Sequence, residues 1–247
     1  MTTAPVADQL RLLDVQALDT RAAQIEHQRR THPAIAAVEA SAARLAEIDA
    51  RLVDARTAVS DTRRELTKAE TDVEQVRTRA TRDRTRMESG SASAKDVQAL
   101  ASELEALARR QDALEEVELE VMERLEELES TLAALTAEHD ETAAQHAAAQ
   151  GELAAVLADL DAQSAQVTSD RVGAIEGLDA ALLALYERIR AQHGGVGVAP
   201  LRGRRCEGCR LELNASELAQ ITAAPPEEVV RCDECGRILV RDAGEHG

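Results

Sequence analysis

The sequence predicts a mostly α protein: a long antiparallel coiled-coil helical hairpin followed by a small C-terminal β-ribbon. Two observations carry that reading. Apolar residues recur every seven positions on both sides of a short polar break at Glu88–Ala94. The only four cysteines lie near the C-terminus as two C-x-x-C pairs, Cys206/Cys209 and Cys232/Cys235, where the apolar period changes from helical to alternating.

Composition agrees. The 247 residues contain no Trp, no Phe and one Tyr, while Ala, Leu, Glu and Arg dominate, the usage of long helices rather than of one large core. Residues 6 to 31 form a first helix with Val6, Leu10, Leu13, Ala17 and Ile25 on one stripe, and His32-Pro33 interrupts it. From Ala34 to Met87 the seam is Leu45, Leu52, Val59, Leu66, Val73 and Ala80, with Ile48, Ala55, Thr62, Ala69 and Val76 at the second position. After the turn, Leu100, Leu107, Leu114, Val121, Leu128 and Leu135 repeat likewise. A second long helix after a short turn folds back antiparallel, each arm roughly 80 Å long. Pairing about Gly90 sets Leu66 near Leu114, Val59 near Val121 and Leu52 near Leu128. It also sets the acidic block Glu115 to Glu129 opposite Arg51, Arg56, Arg63 and Arg64.

Thr168-Ser169-Asp170 reads as a helix boundary. A further helix then carries Leu178, Leu182, Leu185, Tyr186 and Ile189 on one face and stops at His193-Gly194-Gly195. Short strands follow at Val196–Val198, Leu211–Leu213, Val229–Arg231 and Ile238–Val240. A short helix capped by Asn214 ends at Pro225-Pro226. The expected domains are residues 1–193, the hairpin with its turn near 88–95, and residues 194–247, the ribbon.

Each C-x-x-C turn aims two thiolates at one point, and two facing turns give a tetrahedral set for one Zn²⁺ held by Cys206, Cys209, Cys232 and Cys235. Four protein ligands leave no open position, so the metal is structural. A domain of about fifty residues needs such a staple.

The remaining residues speak against an enzyme. The histidines are scattered, no Gly-rich loop ends in Lys-Ser/Thr, and no serine sits in a nucleophile elbow. The formal net charge of −17 repels nucleic acid unless a local basic patch makes the contact. Two patches exist: Arg79, Arg82, Arg84 and Arg86 beside the hairpin tip, and Arg202, Arg204, Arg205 and Arg210 around the first cysteine pair. Each is a candidate contact for nucleic acid or for an acidic protein partner, against the plainer reading of a solvated face. No small-molecule substrate is indicated. The N-terminus has no signal-peptide pattern and no apolar run spans a bilayer, so a cytoplasmic location without membrane contact is expected.

Three stretches carry a family resemblance. They are the tip Met87-Glu88-Ser89-Gly90 with Lys95–Leu100 and Glu103-Leu104-Glu105, then Leu185–Arg190, and lastly Cys206–Cys209 with Leu211, Leu213, Glu217 and Val229–Leu239. Through these the chain resembles bacterial coiled-coil proteins with a C-terminal C4-type zinc ribbon, long described as a domain of unknown function with nucleic-acid-binding zinc ribbons. The resemblance implies a helical hairpin, one zinc, and a link to transcription or to partner-protein binding, in some bacteria around flagellar or secretion systems. Two function classes follow: a ribbon that contacts nucleic acid, or an adaptor whose hairpin binds a protein such as a transcription component.

Overall fold

A computed structural model describes residues 2–90 and 93–241. Helix α1 spans Val6–Thr31 and ends at His32, whose φ −62° and ψ 135° are the extended dihedrals that a following proline imposes. Pro33 opens α2, Pro33–Glu88, where its missing N–H costs nothing. Ala34 N–H donates to His32 Nδ1 at 3.2 Å and caps that start. Gly90 takes φ 67° in the turn, and α3 runs from Ala94 to Ile175. Ser93 and Asp96 cap α3 reciprocally: Asp96 N–H donates to Ser93 Oγ at 3.3 Å, and Ser93 N–H and Oγ–H donate back to the Asp96 carboxylate. These bonds hold the Asp96 carboxyl below its ordinary range. The turn residues Ser91 and Ala92 lie outside the described residues.

The chain divides into two compact units, Ala36–Gln150 on one side and Met1–Ile35 with Gly151–Gly247 on the other. The first unit is the hairpin arm. Its seam is the expected one: Ile48, Leu52, Val59, Thr62, Ala69 and Val73 are buried on α2, and Leu100, Leu114, Val121 and Leu135 on α3. The register differs from expectation by one heptad. Leu52 clusters with Ile48, Ala55, Leu132 and Leu135 rather than with Leu128. Arg63 reaches Glu129 at 2.6 Å as anticipated, but Arg51 reaches Glu138 at 3.6 Å, beyond the acidic block, and Arg64 pairs with Asp61 on its own helix. A seven-residue repeat presents the same seam after a shift of seven, and glutamates recur all along α3, so sequence periodicity leaves this offset open. His146 meets Ser41 across the arm at 2.9 Å and His139 meets Asp49 at 3.4 Å, as seam and flank residues.

The second unit gathers α1, the end of α3, α4 (Ala180–Gln192) and the ribbon. Ile25 of α1 packs with Leu160 and Val167 of α3. Thr168-Ser169-Asp170 does not end α3. These residues are exposed on a helix that continues to Ile175, and the break falls at Glu176–Asp179, with Gly177 at φ 76°. Arg11 of α1 satisfies the end of α3 by donating to the Ala174 carbonyl at 3.0 Å and the Glu176 carbonyl at 2.7 Å. Asp179 caps α4 by accepting from Leu182 N–H at 2.9 Å.

The ribbon contains β1 (Val198–Arg202), β2 (Arg205–Cys206), α5 (Ala215–Ala223), β3 (Val230–Arg231) and β4 (Ile238–Val240), with sheet order β2-β1-β4-β3. β1 and β4 are parallel; the outer pairs are antiparallel. Leu211–Leu213 is not a strand but contributes one bridge, Arg205 to Glu212. β1 starts two residues later than expected, because Gly197 N–H donates to the Gln16 side chain at 2.8 Å. The expected boundary at residue 194 separates the helical segment from the ribbon in sequence, yet packing crosses it. Val198, Ile238 and Val240 share one core with Leu12 and Val15 of α1 and Leu182, Tyr186 and Ile189 of α4.

The buried face of α1 is rotated from the expected stripe. Leu12, Val15, Gln16 and Asp19 are buried, whereas Val6 and Ala17 are exposed. The polar members form a closed network. Arg171 donates to Asp19 at 2.7 Å, Arg190 meets the same carboxylate at 2.9 Å, and Tyr186 Oη–H donates to it at 2.6 Å. Glu187 pairs with both arginines. Gln16 donates to the Gly195 carbonyl at 3.0 Å. Burial, and then the bond to Asp19, push the Tyr186 phenol well above its ordinary range, so it stays a donor.

Asp19→Ala removes one of the two carboxylates that answer Arg171 and Arg190, and the acceptor of the buried Tyr186 hydroxyl, and is expected to lower unfolding stability by about 3 kcal/mol. Tyr186→Phe loses one bond and is expected to cost about 1–2 kcal/mol. Urea unfolding followed by circular dichroism checks both, and equal losses would contradict the assignment of Asp19 as the hub. Gly197→Ala is also expected to destabilise, since its Cβ would lie 2.8 Å from Tyr186 Cδ2 and from the Tyr186 carbonyl oxygen.

Candidate functional site

The four sulfurs converge. Cys206 Sγ lies 3.9 Å from Cys235 Sγ, Cys209 Sγ lies 3.9 Å from Cys232 Sγ, and all four fall within 4.8 Å of one another. A tetrahedron of sulfurs at ~2.3 Å from zinc has edges of about 3.8 Å, so the set fits the ion with little adjustment.

The two knuckles are built alike. Arg210 N–H donates to the Cys206 carbonyl and Gly236 N–H to the Cys232 carbonyl, each at 2.7 Å. Cys206 N–H reaches the Leu211 carbonyl at 3.1 Å, and Cys232 N–H reaches the Arg237 carbonyl at 3.0 Å. The residue after each second cysteine is left-handed: Gly236 at φ 69° and Arg210 at φ 62°. Gly236 suits that region; Arg210 occupies it at a steric cost. Cys206 and Cys232 sit with Ala199, Leu213, Ile221, Val230 and Leu239 in a small apolar cluster beneath the site.

Burial pushes the Cys206 and Cys232 thiols up. At Cys235 burial acts in the same direction but is outweighed by hydrogen bonds from the Arg237 backbone and side chain, which leave it lowered. Buried thiols of this kind become thiolates only against a cation, which the four-sulfur set supplies a place for.

Three supporting residues were not legible as such in the sequence. Glu217, buried in the first turn of α5, accepts from the backbone N–H of Asp233 inside the second knuckle at 2.9 Å. Its place three residues after the Asn214 cap was the available signal. Arg237 spans from the second knuckle to the Val196 carbonyl at 3.0 Å and the His193 carbonyl at 3.3 Å. Arg241 donates to the Ile221 and Ala224 carbonyls, at 3.1 and 2.8 Å, and closes the C-terminal end of α5.

The candidate contact arginines separate into groups. Arg202 and Arg205 are paired in register across β1 and β2, so Arg202-Gly203-Arg204-Arg205 is one tight turn with Gly203 at φ 58°. All three arginines are exposed, and their protein contacts are long: Arg204 to the Leu213 carbonyl at 3.5 Å and Arg205 to Glu207 at 4.0 Å. Arg210 is exposed on the first knuckle. Near the tip, Arg79 is committed to an interhelical pair with Glu103, and Arg77 to one with Glu115 at 2.6 Å. Arg82, Arg84 and Arg86 are exposed.

The chain is expected to hold one zinc. Because the ligands must lose protons, loading releases protons and weakens as pH falls. Cys232→Ser is expected to lose the metal, and because Ile238 and Val240 belong to the core shared with α1 and α4, protease resistance is expected to fall there too. Zinc content and limited proteolysis check this. Arg210→Gly is expected to keep full zinc content and raise stability by about 1 kcal/mol, by relieving the left-handed arginine.

Comparison with known proteins agrees with this geometry. Residues 15–194 match the CT398-like coiled coil hairpin domain, and residues 205–239 match the C4-type zinc ribbon domain. Neither description is that of an enzyme family. An uncharacterised protein of Mycobacterium tuberculosis is 44% identical over 131 residues, 53% of each chain. The chain thus spans about half the length of the curated relatives it matches. A solved structure from Mycobacterium smegmatis superposes with TM-score 0.86 at 38% identity, covering 97% of this chain and 100% of that one. The HP0958 protein of Helicobacter pylori (TM-score 0.51, 14% identity, 98% and 99% covered) and CT398 of Chlamydia trachomatis (0.52, 20%, 96% and 98%) share the fold. No described helix is long and apolar enough to cross a membrane. The protein belongs to the CT398-like coiled-coil hairpin family and carries that family's hairpin together with a C4-type zinc ribbon.

Proposed function

We propose that the protein is a non-enzymatic, transcription-associated binding module of the cytoplasm whose zinc ribbon contacts the phosphate backbone of nucleic acid. The observation that carries this reading is the turn Arg202–Arg205. Three exposed guanidinium groups lie within four consecutive residues, fastened one position before the metal ligand Cys206. Like charges held this close repel one another, and a polyanion relieves that repulsion. On a chain of net charge −17, solubility does not require such a cluster.

A second reading, a protein adaptor, is favoured by a different observation. Val117, Leu119 and Met122 on α3 are 46%, 60% and 41% exposed, and Leu119 and Met122, three apart, share a helix face. The exposed tip residues Arg82, Arg84 and Arg86 suit an acidic partner on the same hairpin arm.

Full-length zinc-loaded protein is expected to retain labelled nucleic acid in a salt-dependent way. Three phosphate contacts imply an affinity loss of about 40-fold between 50 and 200 mM salt. Arg202→Glu/Arg204→Glu/Arg205→Glu is expected to abolish retention with zinc content and helicity unchanged. Retention that survives this triple change would exclude the ribbon as the contact. In that case a pull-down with Leu119→Glu/Met122→Glu and Arg82→Glu/Arg84→Glu/Arg86→Glu tests the adaptor reading, which fails if every partner is kept.

A further inference from the structure

We infer that the ribbon's ligand is a B-form DNA duplex, entered at a groove by the β1–β2 turn and gripped through its phosphates, rather than an unpaired strand. This rests on the reading of the ribbon as a nucleic-acid contact.

The first support is shape. The β1–β2 pair closes on Arg202 opposite Arg205 with only Gly203 and Arg204 between them, the narrowest antiparallel ribbon a chain can make. The major groove of B-DNA, about 12 Å wide, admits a two-stranded ribbon. A Cβ built on Gly203 would meet nothing within 4 Å, so the turn is open to solvent at that corner, while its other side is tied to Leu213 and Glu212. Leu201 and Cys206, the preceding register pair, are half-buried and buried against the metal cluster. Alternation along a strand therefore puts Arg202 and Arg205 on the face opposite the metal cluster, where both are exposed, with Arg204 at the corner. Charges spread around an exposed tight turn suit a groove, which has phosphates on both walls.

The second support is the absence of a stacking platform. Binding of unpaired strands without sequence preference relies on aromatic rings beneath successive bases. The ribbon has no Trp, Phe or Tyr, and the chain's one tyrosine, Tyr186, is fully buried with its hydroxyl engaged by Asp19. What remains is charge, and a duplex offers twice the linear charge density of a strand, with a steeper release of counterions per phosphate.

The third support is rigidity. Leu213 N–H donates to the Arg204 carbonyl at 2.8 Å, Glu212 bridges Arg205, and Cys206 enters the metal set. A preformed turn meeting a preformed duplex loses little freedom, whereas an unpaired strand has to be ordered on binding. The deep major groove of double-stranded RNA is too narrow to admit a ribbon, so entry at a major groove favours DNA.

The test is fluorescence anisotropy of the zinc-loaded full chain with a labelled DNA duplex of about 20 bp, with each of its separate strands, and with an RNA duplex of the same sequence. At ~100 mM salt the DNA duplex is expected to bind at least about tenfold tighter than the other three. Arg202→Ala and Arg205→Ala are each expected to weaken duplex binding and lower the salt slope by about one. Arg82→Glu/Arg84→Glu/Arg86→Glu is expected to change nothing. Strands or RNA duplex binding as tightly as DNA overturn this inference and leave the nucleic-acid reading standing. No binding to any of the four at low salt overturns both. Duplex binding lost in the tip variant but kept in Arg202→Ala and Arg205→Ala would assign the duplex to the hairpin and overturn the inference as well.

Discussion

A buried carboxylate has to be paired, and in the zinc-bearing unit that constraint falls on Asp19. Its two oxygens take Arg171 from α3, Arg190 and Tyr186 from α4, while the neighbouring Gln16 takes the backbone of Gly195 and Gly197. One turn of α1 thereby fixes the end of α3, the whole of α4 and the entry to β1. The two arginines are themselves partly buried and answered by Glu187, so every charge in the cluster has an opposite neighbour. Removing any one member leaves others exposed to the full desolvation cost, which makes this a network that specifies a single arrangement rather than one that adds stability by itself.

That arrangement changes what the zinc does. In a free-standing ribbon the metal would substitute for a missing core. Here β1 and β4 lie between two clusters: Val198, Ile238 and Val240 face the helices, and Ala199 and Leu239 face the sulfurs. Adjacent residues on a strand point to opposite sides, so the same two parallel strands serve both. Arg237 adds a polar tie, since it donates to the carbonyls of Val196 and His193 while supporting Cys235. Metal loading and helix packing therefore act on the same strands, and the Cys206 and Cys232 thiols, pushed up by burial, are the ones that most need the cation to become thiolates.

What the sequence revealed follows from how local each determinant is. The seam of α2 and α3 was legible because its heptad repeat is local, and the zinc set because C-x-x-C spacing is local. The offset between the arms was not, since leucines recur at seven-residue intervals along α3 and periodicity does not choose between Leu128 and Leu135 as the neighbour of Leu52. The stripe on α1 was misplaced for another reason. Hydropathy assigns Gln16 and Asp19 to solvent, and partners more than 150 residues away in sequence, Arg171, Tyr186 and Arg190 for Asp19 and Gly195 and Gly197 for Gln16, make their burial possible. Thr168–Asp170 looked like a boundary because polar residues mark both loops and exposed helix faces, and Val167 and Arg171 on either side turn out to bind the helix to α1. The arginines near Cys206 were visible as a patch; that Arg202 and Arg205 stand opposite each other required the strand register.

The distribution of charge then bears on how a polyanion would meet this chain. A net charge of −17 makes most approaches unfavourable at low salt. Several cations on α2 are answered across the arm, Arg63 by Glu129, Arg77 by Glu115 and Arg79 by Glu103, while Arg82, Arg84 and Arg86 near the tip are exposed. Such exposed pairs add little stability, but they cancel the field that would otherwise attract phosphate. The ribbon turn differs, because its acidic neighbour Glu207 is only at 4.0 Å from one of three arginines. Repulsion over most of the surface and attraction at a few exposed arginines together orient an encounter more sharply than attraction alone. On this view the acidic excess of the chain is not a contradiction of a nucleic-acid role. It is the part of the electrostatics that would disfavour any contact made away from the exposed arginines.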